Sequence, residues 1–318
     1  MTMPLTPSSD AGKASGATFL DPGALMAIRN LELRARSVVE GFWHGLHRSP
    51  YHGFSVEFTE YRPYTPGDDP RYLDWKLVAR TDRYFIKKFE DETNLRCHLL
   101  VDASRSMSFG SLSYTKADYA RTLAATLAYF LSQQGDATGL LTFDERVREY
   151  LPARHRPGHL RHLMLALEQP FEGAGTDLTA PLRRIAELTQ KRGLIVLISD
   201  LLAPVDALEA PLALLTAARH EVIVFQVLDP AELTFNFESA ARFLDLESGR
   251  DLYIDPALAR AGYTQRLNTH LAAVGSVCER LGITRVQISS AQALELALFD
   301  FLKARANRGK IVRRRSAA

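Results

Sequence analysis

Residues 94–107, NLRCHLLVDASRSM, and 193–202, GLIVLISDLL, decide the fold. Each carries a short apolar run closed by an aspartate, Asp102 in the first and Asp200 in the second. An uninterrupted apolar run reads as a strand covered on both faces, whereas alternation would mark a face open to water. Working outward, strands are predicted from Leu95 to Val101, Ala137 to Phe143, Leu194 to Ile198, Val222 to Leu228 and Thr284 to Ile288. A short strand from Val147 to Leu151 follows a tight turn at Asp144-Glu145, and Phe243 to Leu246 can pair with Leu252 to Ile254 across Ser248-Gly249. Helical patterns fall between them: Thr115 to Gln134, Gly158 to Glu168, Leu178 to Lys191, Leu208 to Arg219, Pro256 to Leu281 and Leu294 to Ala306. Strands separated by helices of this length predict an α/β domain over residues 94–306, built on a doubly wound, mostly parallel sheet.

Upstream, residues 1–20 are rich in Ser, Ala, Gly and Pro and are expected to be disordered. Asp21-Pro22 is a helix-start signal, and Leu25, Ile28, Leu31, Leu33, Val38 and Val39 form a rough apolar stripe ending near Gly41. From Ser49 to Glu92, aromatic and β-prone residues are broken by Pro and Gly, with a turn at Pro66-Gly67-Asp68-Asp69 and a strand-like stretch at residues 85–90. Residues 21–93 thus read as an N-terminal accessory segment, a helix plus a β-rich part. It either packs on the sheet or presents a partner surface through Asp68, Asp69, Arg71, Asp74 and Trp75. Trp43 and Trp75 suit packing anchors better than ligand-stacking platforms.

The composition of the 318 residues, 46% hydrophobic and 24% charged, is that of a globular protein with a real core. No apolar run is long enough to cross a bilayer, and the N-terminus lacks the basic start and apolar core of a secretory signal. Cys97 and Cys278 are too few for a disulfide scaffold, so a cytoplasmic protein is expected. The formal charge of +2 is a cancellation. Seven basic residues and no acid lie between Phe301 and Ala318, and without them 32 basic residues face 37 acidic ones. The basic tail, 307–318, is expected to be solvated and disordered. No aromatic-interleaved basic strand or recognition-helix pattern accompanies it, so nucleic acid is not an expected partner.

In open α/β sheets, ligands gather beyond the carboxyl ends of the strands. Asp102 and Asp200 end two strands there, and Ser104 and Ser106 follow the first in a D-x-S-x-S pattern. Between the strands, GAGTDL places Thr176 after a flexible glycine loop and before a helix. Carboxylates and hydroxyls converging in this way make an all-oxygen site for a hard divalent cation, Mg²⁺ first, with Mn²⁺ or Ca²⁺ as substitutes. Few direct anionic ligands leave the metal electrophilic, so an incoming carboxylate is an attractive last ligand.

DASRSM, GAGTDL and ISD resemble the metal-ion-dependent adhesion site of von Willebrand factor type A domains. Upstream, LELRARSVVEGFWHGLHRS and the run from GFSVEFTEYRPYTPGDDPRYLDW to FEDETNL resemble the bacterial family catalogued as domain of unknown function number 58. That resemblance implies a metal site at Asp102, Ser104, Ser106, Thr176 and Asp200, and an interaction module instead of a catalyst. It also implies a MoxR-type AAA+ ATPase as partner, chaperone-like maturation of a protein complex, and a client protein that donates an acidic residue. Two departures stand out. Many relatives carry membrane helices upstream, and many type A domains have a Gly where Leu201-Leu202 follows Asp200 here.

The competing reading is a Mg²⁺-dependent hydrolase using the same Asp, Ser and Thr residues. Haloacid-dehalogenase-type phosphatases need a second acid two residues after the strand-end Asp, and Ser104 stands there. No G-x-S-x-G elbow, phosphate-binding P-loop or H-E-x-x-H helix occurs. His155, His159 and His162 crowd together, but Pro157-Gly158 separates the first from the helix, and a solvated, Arg-rich surface explains them better than zinc.

Overall fold

The computed structural model describes residues 19–48, 60–63, 85–88, 95–171, 173, 178–189, 191–237, 239, 241–244 and 251–316. The chain enters through a short helix α1 (Pro22–Met26), whose N-cap Asp21 accepts from Ala24 N at 2.8 Å. Helix α2 (Leu31–Arg48) follows, then β1 (Glu60–Pro63) pairs antiparallel with β2 (Phe85–Lys88). The alternating part begins with β3 (Arg96–Asp102), α3 (Lys116–Gln133), β4 (Ala137–Phe143), β5 (Val147–Arg154) and α4 (His159–Leu167). It continues with α5 (Thr179–Leu188), β6 (Leu194–Ser199), α6 (Val205–Ala217), β7 (Glu221–Leu228) and the short α7 (Pro230–Thr234). An antiparallel ribbon of β8 (Ala241–Leu244) and β9 (Asp251–Ile254) precedes α8 (Pro256–Arg280), β10 (Thr284–Ser289) and α9 (Leu294–Ser316).

Six strands form the central sheet in the order β10-β7-β6-β3-β4-β5, all parallel except the edge strand β5. Every residue of β6 is buried, as its unbroken LIVLIS run requires. Successive side chains leave opposite faces, and the two cores follow that alternation. Leu99 and Val101 of β3 join a core with α2, α3, α4 and α9, while Leu100 joins one with α5, α6 and α8. The expected doubly wound sheet is therefore present, with helices on both faces. Leu25, Leu31, Ala35, Val38, Val39 and Phe42 of the accessory helices bury into the first core. Trp43 acts as the expected anchor, stacking on Phe130 at 6.0 Å between ring centroids.

Three differences from the sequence expectations have clear causes. The basic tail is not a disordered end: α9 runs on through residues 307–316 as helix. Its Ala, Arg and Lys are good helix formers, and no proline interrupts them. Strand β5 extends to Arg154, beyond the expected Leu151, because β4 offers a partner along its length. The unpredicted α7 is started by Asp229, which caps Ala231 N while Glu232 reaches back to Asp229 N, a reciprocal capping box.

Candidate metal-binding site

From β3 the chain builds β4 and β5 on one side of the sheet, then returns to build β6, β7 and β10 on the other. The strand order reverses between β3 and β6, and their carboxyl ends open onto a crevice. Asp102 is the last residue of β3, and Asp200 directly follows β6. Both side chains are buried. Asp102 Oδ1 accepts from Ser104 N at 2.9 Å, and its Oδ2 accepts from Ser199 Oγ at 2.5 Å. Asp200 Oδ1 accepts from Leu202 N at 3.2 Å, and its Oδ2 from Lys116 Nζ at 2.8 Å. Ser104 stands at the position before the 3-10 turn Arg105–Ser108, which brings Ser104 Oγ to 3.1 Å from the half-buried Ser106 Oγ.

Burial first, and the Asp200 charge second, push the Asp102 carboxyl up to about 6, while hydrogen bonds from Ser199 and Ser104 pull the other way. Two buried carboxylates that repel one another are relieved by a cation between them. Among the described residues, no three His, Cys, Asp or Glu side chains converge as a metal cluster. A cation here would lean on the hydroxyls of Ser104 and Ser106 as much as on Asp102 and Asp200. That donor set is oxygen only and fits a hard divalent cation.

Thr176 lies outside the described residues, as do Asp68, Asp69, Arg71, Asp74 and Trp75 of the suggested partner surface. The start of the GAGTDL loop is nevertheless placed. A Cβ at Gly173 would collide with the Ala103 carbonyl oxygen and lie 2.9 Å from Ser104 Cα, so this loop begins against the Ser104 turn. Leu201, the first of the Leu201-Leu202 pair after Asp200, has φ 50° and is fully buried. This left-handed conformation is strained for a side-chain-bearing residue. It is held by Leu201 N donating to Ser199 Oγ at 3.0 Å and His270 Nε2 donating to Leu201 O at 2.8 Å.

Four further residues at the site are not among the expected ligands: Ser199, which lies inside the ISD motif, and Lys116, Glu232 and Asp229. Lys116 is the first residue of α3, after the capping-box residue Thr115, and its side chain is fully buried. Its Nζ donates to Asp200 and, at 2.6 Å, to Glu232 Oε1. Glu232 Oε2 accepts from Asp229 N, and Asp229 accepts from Ser111 N at 2.9 Å and Ser111 Oγ at 2.5 Å. Burial pulls the Lys116 ammonium down, but Asp200 and Glu232 outweigh it and raise it above the usual lysine value. The D-P-A-E capping pattern at 229–232 is a legible signal for Glu232. Nothing local marks Lys116. Of the three histidines, His155 and His162 are exposed as expected, but His159 is buried, its Nε2 donating to Thr138 O at 2.8 Å.

The family described as "Protein of unknown function DUF58" matches residues 60–273. Uncharacterized protein Mb1516 of Mycobacterium bovis is 33% identical over 268 residues, 82% of this chain and 83% of that protein. The crystallised aerotolerance-related membrane protein of Bacteroides fragilis is similar over 65% of this chain and 97% of its own, with 14% identity and a TM-score of 0.46. The SpRpn10 VWA domain is similar over 63% of this chain and 92% of its own, with 14% identity and a TM-score of 0.38. With more than half its length matched by the family, this chain belongs to the DUF58 family.

Proposed function

We propose that the chain is a metal-dependent protein-interaction module in which Asp102, Ser104, Ser106, Thr176 and Asp200 hold Mg²⁺ and a partner's Asp or Glu supplies the last ligand. The observation that carries this reading is the meeting of Asp102, Ser104, Ser106 and Asp200 at the carboxyl ends of the adjacent strands β3 and β6. The Lys116 ammonium pairs with Asp200 and Glu232, and the buried Asp102 carboxyl, which feels the Asp200 charge, adds a further acid, so the group has a deficit that a divalent cation suits. Neutral hydroxyl ligands would leave that cation able to accept a further carboxylate. A MoxR-type AAA+ ATPase is the proposed working partner, supported by the sequence resemblance, with this chain as the adaptor that engages a client for chaperone-like maturation. No helix among the described residues is long and apolar enough to cross a membrane.

The test is capture of a MoxR-type AAA+ ATPase on immobilised full-length protein, with Mg²⁺ or with EDTA. Retention only with Mg²⁺, lost in Asp102→Ala and Ser104→Ala variants that keep their circular dichroism, is the expected result. Equal retention by those variants overturns the adhesion mechanism. Hydrolysis of generic phosphate or ester substrates that Asp102→Ala abolishes would assign the same residues to a Mg²⁺-dependent hydrolase instead.

A further inference from the structure

We infer that Lys116 is a built-in counter-cation of the metal site, whose ammonium weakens and so sets its affinity for a divalent cation. This rests on reading Asp102, Ser104, Ser106 and Asp200 as that site. Lys116 stands at the first position of α3, the positive end of the helix dipole, where a second positive charge is disfavoured. It is also fully buried, which lysines avoid unless paired. The dipole rule is broken at this residue and its burial depends on the two acids that pair with it, a placement expected where function outranks local stability.

The pairing explains what is gained. Lys116 Nζ takes Asp200 Oδ2 at 2.8 Å and Glu232 Oε1 at 2.6 Å, while Leu202 N occupies Asp200 Oδ1. Both oxygens of Asp200 therefore already accept a hydrogen bond, and one faces a full positive charge. A divalent cation drawn to Asp200 meets that charge as a competitor. Were Lys116 only a structural tie, Asp200 would be the acid it holds in place, and removing it would weaken metal binding. A counter-cation predicts the opposite sign. Glu232 lies on the far side of the ammonium, on α7, and partly neutralises it, so its removal exposes the site to more of the Lys116 charge. The pair thereby links the affinity of the strand-end site to the conformation of α7, whose cap Asp229 is tied back to Ser111.

The experiment titrates Mn²⁺ into full-length wild type, Lys116→Met, Glu232→Gln and the double variant, following free Mn²⁺ by electron paramagnetic resonance. Removing a unit charge a few ångströms away should tighten binding about ten- to a hundredfold in Lys116→Met. Glu232→Gln should weaken it, the double variant should return towards wild type, and Asp102→Ala should abolish binding in every background. Unchanged or weaker binding in Lys116→Met, in protein with native circular dichroism, overturns the inference. If Lys116→Met does not fold, Glu232→Gln carries the test, and unchanged affinity there is the overturning result. Wild type that binds no Mn²⁺ while Lys116→Met does supports the counter-cation in its extreme form. Absence of binding in all four proteins overturns the metal-site reading itself, and the counter-cation with it.

Discussion

Ser199 Oγ donates to Asp102 Oδ2 at 2.5 Å and at the same time accepts from Leu201 N at 3.0 Å. One buried hydroxyl thus joins the end of β3 to the strained turn after β6. Ser199→Ala leaves a buried carboxylate oxygen and a buried N–H without this partner. The expected cost is about 2 kcal/mol, read by urea denaturation. A loss below about 0.5 kcal/mol would mean that neighbouring groups hold the two strand ends without Ser199.

Gly173, the first residue of the GAGTDL segment, lies against the Ser104 turn, because a Cβ there would meet backbone on both Ala103 and Ser104. Gly173→Ala is expected to displace the loop, destabilise the protein by about 1–3 kcal/mol and weaken Mn²⁺ binding. Gly262 is the control: it is exposed within α8, and an added methyl would meet nothing within 4 Å, so conversion to Ala should gain about 0.5–1 kcal/mol. Thermal unfolding of the two variants side by side reads the difference in sign.

His98 of β3 is buried, and its Nδ1 has no hydrogen-bond partner among the described residues. Burial first, then His220 and Arg96, push it down to about 4 from 6.5. The unfolded chain therefore binds a proton on this group that the folded protein refuses. Stability is complete above about pH 6.5 and falls as pH drops towards 4, by about 3 kcal/mol from this residue. Denaturation midpoints across that range should flatten in His98→Gln. An unaltered pH profile in the variant would assign the acid sensitivity to other groups.

Glu295 of α9 is buried, with Oε1 accepting from Leu20 N at 3.0 Å and Oε2 without a partner among the described residues. Burial raises its pKa above the ordinary glutamate value of 4.5. Its contribution is whole below about 4.5 and is lost as pH rises through the folded value. Glu295→Gln should keep the bond to Leu20 and remove that loss, raising stability near pH 8 relative to wild type while leaving the two alike near pH 4. A variant less stable at both pH values would show that the carboxyl is more than a buried acid.

Much of the candidate site is legible in sequence. Asp102 and Asp200 are visible because each closes a run of residues too apolar to face water. The same property identifies β3 and β6 as interior strands. Ser104 and Ser106 follow at fixed spacing, and the 3-10 turn joins their hydroxyls without help from distant residues. The burial of His159 is not legible, because its partner, Thr138 O, is 21 residues away on β4. In the tail, the density of like charge argues for coil, and the helix propensity of the same Arg, Lys and Ala residues prevails.

Local patterning by itself determined the doubly wound sheet, its interior strands and the four oxygen-bearing side chains at and just after the strand ends, because hydrophobic periodicity and turn residues act over a few positions. Tertiary structure alone decided that Lys116 is the cation between Asp200 and Glu232, that Ser199 holds Asp102, and that Leu201 sits at positive φ. Those facts depend on which strands become neighbours and on what α3 carries over the sheet. Electrostatic pairing inside a protein is set by distance in space and by excluded water, and neither is encoded in residue spacing.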